Sequence, residues 1–207
     1  MWNIPNLLTL LRMLLIPVFM VVFYLPGQWT RVVCALLFTA AALTDWLDGH
    51  LARKWGQVSP LGAFLDPVAD KLMVAVALVL LVEADPTPEL ALPAAVIIGR
   101  EITVSALREW MAELGSRSRV AVSMLGKIKT IAQMVAIIFL IFQYPLLGLP
   151  VYEIGLALFY IAAILTLWSM SIYLRAAWPD LVAPGRSPGT GAGAPPRELT
   201  SEQPRLE

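Results

Sequence analysis

Four aspartates stand at helical spacings inside a very apolar chain: Asp45 and Asp48 in "TDWLDGHLARKW", Asp66 and Asp70 in "PLGAFLDPVADKLMV". Residues three or four apart share one helix face, so each pair points one way. Two adjacent antiparallel helices can bring all four carboxylates to one point. Negative charges gathered there repel one another and need cations or partial protonation. Hard oxygen ligands suit Mg²⁺, Mn²⁺ or Ca²⁺. A two-metal site is the simplest arrangement that neutralises the set. Carboxylates at membrane depth mark function, whereas a single one could be a buried polar partner or a helix end-cap.

Small residues surround the aspartates. Gly49 and Ala52 follow the first pair, and Gly62 precedes Asp66 by about one turn. Bare backbone there lets a bulky ligand approach, although close helix packing explains any one of them alone. Arg53 can pair with a phosphate. His50 has no second histidine in the chain, so it reads as an interfacial residue and not a metal ligand.

The elements that must position these groups are helices in a bilayer. Hydrophobic residues make up 58% of the 207, with mean hydropathy +0.74; soluble domains are nearer about 45–50% apolar. Zero formal net charge gives no support to nucleic-acid binding. Cys34, the single cysteine, lies in an apolar stretch and packs as a small hydrophobe. Six runs approach the roughly 20 residues a spanning helix needs, near Leu7–Leu25, Arg31–Gly49, Leu61–Val82, Leu92–Met111, Ser123–Phe142 and Val151–Leu174. The first is expected to be a retained helix and not a signal peptide, because no basic segment or cleavage site accompanies it. Arg53, Lys54, Arg117, Arg119 and Arg175 put the second and fourth connections and both termini on the cytoplasmic side; Glu83, Asp85 and Glu89 put the third outside. Trp2, Trp29, Trp55, Trp110 and Trp178 fall near helix ends, as an interfacial belt would. The expected fold is thus an all-α integral membrane protein with six transmembrane helices and cytoplasmic termini. Residues 1–183 form the membrane domain, and 184–207, rich in Gly, Pro and polar residues, form a disordered cytoplasmic tail.

The aspartate stretch as a whole reads D-x-x-D-G-x-x-A-R, eight residues, then G-x-x-x-D-x-x-x-D. It resembles the signature of the CDP-alcohol phosphotransferase family at every position: Asp45, Asp48, Gly49, Ala52, Arg53, Gly62, Asp66 and Asp70. "NIPNLLTLLRMLLIPVF", "GREITVSALREWMAELG" and "GKIKTIAQM" further resemble those bacterial members that use glycerol 3-phosphate as acceptor, over about residues 3 to 178. The resemblance implies transfer of a phosphatidyl group from CDP-diacylglycerol to glycerol 3-phosphate with release of CMP. It also implies two divalent ions, Mg²⁺ or Mn²⁺, a homodimer, and an active site on the cytoplasmic face of a bacterial inner membrane. Asp45 and Asp66 would bridge the two metals, Asp48 would complete one site and Asp70 the other. Asp70 would also accept the hydroxyl proton. Gly49, Ala52, Arg53 and Gly62 would hold the CDP group.

The acceptor brings its own phosphate and needs cations. Arg100, Arg108, Arg119, Lys127 and Lys129 lie on the inner side of the fourth and fifth helices or between them. A subset is expected to form the glycerol-phosphate pocket, with ordinary positive-inside anchoring as the competing explanation. Glu101 and Glu109 are candidate ion-pair partners. Asn6, Thr9 and Arg12 share a face at the start of the first helix and could touch the nucleotide or a head group; capping and snorkelling would also account for them. Within the family the signature leaves inositol phosphate, serine or phosphatidylglycerol open as acceptor. A divalent-cation transporter is the reading from another class. It lacks support because the carboxylates stay near one end and no inverted repeat or broken helix is evident.

Overall fold

The computed structural model describes residues 4–55, 60–113, 124–146 and 148–182. Within them lie six α-helices and no sheet: α1 Ile4–Tyr24, α2 Trp29–Trp55, α3 Pro60–Ala84, α4 Pro88–Glu113, α5 Met124–Phe142 and α6 Val151–Val182. Arg119 and the whole stretch 184–207 fall outside the described residues.

Each apolar run became one helix, and local chemistry sets the ends. Thr87 gives its carbonyl to the amides of Leu90 and Ala91 at 3.2 and 3.0 Å. Pro88 opens α4, where a missing N–H costs nothing. α5 stops at Phe142 because Gln143 turns left-handed at φ 58° and returns its amide to the Phe139 carbonyl at 3.1 Å. Two helices run past their apolar stretch: α2 continues through Asp48 to Trp55 and α6 to Val182. Backbone hydrogen bonding, unlike hydropathy, does not end where charges begin.

α1 packs on α2 and α3, α5 on α6 and α2, and α4 on α6 and α3. Phe19, Phe38, Ala77, Leu78, Ile97, Ile137, Leu140 and Phe159 make the shared core, all essentially inaccessible. Cys34 is buried within it, as expected of a small hydrophobe. A smaller cluster of Val104, Leu107, Met111, Tyr173 and Ala177 joins α4 to α6. At the α5–α6 contact, Gly155 lets the backbones close. A Cβ there would meet Phe139 Cβ at 2.9 Å and the Leu140 amide nitrogen at 3.2 Å.

The surface inverts the soluble pattern. Leu14, Leu36, Leu43, Phe64, Leu92, Ile102, Ile131, Ile164 and Trp168 are largely exposed, while Arg12, Arg100 and Lys129 are buried. Apolar exposure on this scale is untenable in water and normal in lipid. Leu7–Tyr24, Pro88–Ala112 and Val151–Trp178 are long and apolar enough to cross a membrane, and Ile128–Phe142 is a shorter apolar segment. The protein is a membrane protein, all-helical among the described residues.

Candidate active site

The aspartates occupy the end of the bundle formed by the start of α1, the end of α2 and the start of α3. Asp66 and Asp70 lie one turn apart on α3, with Pro67 between them. Two α1 residues reach across to the carboxylates. Thr9 donates its hydroxyl to Asp66 Oδ1. Arg12 Nη1 donates to Asp45 Oδ1 at 2.6 Å. The guanidinium side is 1% exposed and the Asp45 carboxylate 40%, so Arg12 reaches inward and does not snorkel to the interface. Asp70 is half-buried and within electrostatic reach of Asp45, Arg12, Glu101 and Lys71. With Arg12, Phe38, Ala41, Met73 and Met134 it lines a cavity of about 10 Å³, room for about one water.

This donor set suits a hard divalent ion. Asp45, Asp66 and Asp70 gather three carboxylates around Arg12 and Lys71, and carboxylates brought together in this way call for cations. Among the described residues no three acidic, histidine or cysteine side chains already converge as a cage. Asp45 and Asp66 instead hold Arg12 and Thr9. Asp48, Gly49, Ala52 and Arg53 lie on α2, but their side-chain surroundings are outside the described set, as are those of Asn6 and Lys127. Gly62 is buried in the first turn of α3.

A second polar group sits between α4, α5 and α6. Arg100 Nη1 and Lys129 Nζ both donate to Glu101 Oε1, at 2.9 and 2.8 Å. Arg100 Nη2 donates to Ser169 Oγ at 3.2 Å, and the guanidinium carbon lies 5.7 Å from the Tyr173 ring centroid. Gln133 and Thr166, also buried, leave Oε1 and Oγ1 without a hydrogen-bond partner among the described residues. Lys129 is within electrostatic reach of Asp70 as well as Glu101. Arg108 stands apart. It is exposed and lines a cleft of about 510 Å³ with Lys71, Ser105 and Glu109 between α3 and α4.

Of the expected acceptor cations, Arg100 and Lys129 therefore come together and Arg108 does not join them. Ser169 and Tyr173 were not anticipated. The usable signal was Thr166, Ser169 and Tyr173 at i, i+3 and i+7 on one face of an apolar helix.

Comparison with known proteins agrees with the motif. The family description "CDP-alcohol phosphatidyltransferase" matches residues 2–168. A CDP-diacylglycerol–glycerol-3-phosphate 3-phosphatidyltransferase of Salmonella typhimurium is 59% identical over 181 residues, covering 87% of this chain and 98% of the relative. The enzymes of that name from Shigella flexneri and Escherichia coli K12 are each 58% identical over the same shares. With the signature complete and most of the chain matched, the protein belongs to the CDP-alcohol phosphatidyltransferase family.

Proposed function

We propose that the protein transfers a phosphatidyl group from CDP-diacylglycerol to glycerol 3-phosphate, giving phosphatidylglycerophosphate and CMP. The observation that carries this is near-full-length likeness to enzymes bearing that name. The buried cation pair on Glu101 supports it, because a phosphorylated acceptor needs positive charge and serine would not.

In the reaction a glycerol hydroxyl oxygen bonds to the phosphorus that carries diacylglycerol. The bond from that phosphorus to the CMP oxygen breaks, and CMP leaves with the electron pair. Two divalent ions, Mg²⁺ or Mn²⁺, held by Asp45, Asp48, Asp66 and Asp70 would supply the positive charge that the pyrophosphate and the leaving CMP require. Asp70 accepts the hydroxyl proton as the new bond forms. A free carboxylate is a weak base towards an alcohol, so the transfer is late and depends on the hydroxyl being acidified. Gly49, Ala52, Arg53 and Gly62 hold the CDP group. Arg100 and Lys129 receive the acceptor's phosphate. Thr9 and Arg12 keep Asp66 and Asp45 aimed until substrate arrives.

We place all six helices across a bacterial inner membrane, with both termini and the aspartates facing the cytoplasm. Arg53, Lys54 and Arg175 at that end, against Glu83, Asp85 and Glu89 at the other, support this orientation. A homodimer follows from the family resemblance, and cross-linking in native membranes tests it.

The deciding experiment is CMP release by purified protein in detergent with CDP-diacylglycerol and Mg²⁺ or Mn²⁺. Glycerol 3-phosphate, inositol phosphate, serine and phosphatidylglycerol are offered separately. Release is expected with glycerol 3-phosphate alone. Release with another acceptor would overturn the substrate assignment, and none with any acceptor would overturn the reaction.

A further inference from the structure

Adjacent residues on a helix point about 100° apart, yet Arg100 and Glu101 meet side chain to side chain. The reason lies on α5. Lys129 reaches the same carboxylate oxygen, Glu101 Oε1, that Arg100 Nη1 holds, at 2.8 and 2.9 Å. Both bonds are charge-assisted and short. Two nitrogens bound to one oxygen at these lengths are no more than about 6 Å apart, a separation that a phosphate's oxygens can bridge in the same way. Without the carboxylate, two buried cations this close would repel and separate. From the other side, Ser169 Oγ takes Arg100 Nη2 at 3.2 Å and the Tyr173 ring lies against the guanidinium.

The arrangement is positive overall, with two cations on one carboxylate. It also keeps donors in reserve. Arg100 is nine-tenths buried, and among the described residues its Nε has no hydrogen-bond partner. An ammonium offers three donors, of which Glu101 takes one from Lys129. A buried orphan donor beside excess positive charge is the imprint of an anion.

We infer that Glu101 is a positioning residue for the acceptor: its single carboxylate oxygen fixes the spacing of Arg100 and Lys129 for a phosphate monoester, and Ser169 on α6 holds the far edge of the guanidinium. The inference rests on the reading that Arg100 and Lys129 receive the acceptor's phosphate.

Steady-state kinetics of the full-length protein in detergent separates the two. Arg100→Gln and Lys129→Gln test the pocket itself, and each is expected to raise KM for glycerol 3-phosphate. Glu101→Gln keeps the shape and loses the charge. It should raise that KM about tenfold, with kcat within about threefold and KM for CDP-diacylglycerol unchanged. Ser169→Ala should raise the same KM about threefold, and Ser169→Thr, which keeps the hydroxyl, should restore it. A merely structural role would lower kcat or the active fraction without selecting one substrate. If the Arg100 and Lys129 variants raise KM but Glu101→Gln leaves or lowers it, the pocket stands and the positioning role falls. If all of them leave KM unchanged, both fall. Should Glu101→Gln not fold, the Ser169 pair decides: no change in KM for Ser169→Ala overturns the inference.

Discussion

Arg12 shows how much one side chain does at the aspartate end. Its buried guanidinium pairs Asp45 at 2.6 Å. Breaking a fully buried pair costs about 3–5 kcal/mol. Asp45 is 40% exposed, so we expect Arg12→Leu to cost only about 1–2 kcal/mol, a fall of about 2–8 °C in Tm for a chain of this size. Millimolar Mg²⁺ or Mn²⁺ should recover part of that loss, because an ion can stand beside Asp45 where the guanidinium stood. Differential scanning fluorimetry in detergent, with and without metal, measures both effects. Asp70→Asn should behave differently. Its fold and Tm should hold, while kcat for CMP release falls by at least about a hundredfold, the usual contribution of a general base. A full-rate Asp70→Asn enzyme would remove the base assignment.

At the scale of the element, the α5–α6 contact is sensitive to added volume. Gly155→Val would push a side chain into the Phe139 Cβ and the Leu140 backbone, and overpacking of this kind costs about 1–3 kcal/mol. Gly99→Ala, on α4 with nothing within 4 Å of the added carbon, should be neutral or slightly stabilising. Thermal unfolding of the two variants side by side checks the contrast. The same elements show what the sequence made legible. Six helices were readable because an apolar run of about 20 residues has few other uses, and the placing of Asp66 and Asp70 one turn apart on α3 because i, i+4 spacing fixes a face. The ends of α2 and α6 were not, since charge ends a hydropathic run without ending a helix. Nor were Thr9 on Asp66 and Arg12 on Asp45, contacts 57 and 33 residues apart in sequence. Local periodicity says which face a residue occupies and nothing about which helix lies opposite. Ser169 escaped notice because one serine in an apolar helix looks like ordinary close packing.

For the whole molecule, charge is segregated along the bundle. Asp45, Asp66 and Lys129 lie toward one end, Asp70 and Arg100 nearer the middle of their helices, and Glu83, Asp85, Glu89 and Glu153 at the other end. Chelation with EDTA should abolish CMP release, and Mg²⁺ or Mn²⁺ should restore it; activity that survives exhaustive chelation would count against a metal-dependent reaction. At the end remote from the aspartates, tyrosines tie separate helices and turns together. Tyr24 donates to Glu83, Tyr152 to Asp85 at 2.6 Å and Tyr144 to the Gln28 carbonyl at 2.8 Å. Mechanically, α1 and α3 are then rods pinned together at both ends, by Tyr24 on Glu83 at this one and by Thr9 on Asp66 at the other. Glu83 and Asp66 are about 25 Å apart along α3 at the helical rise. Over that length a tilt of about 5° of one helix would displace its far end by about 2 Å, enough to break a hydrogen bond there. A rod pinned at both ends resists such a tilt, so these contacts together hold α1 in register with α3 along its length.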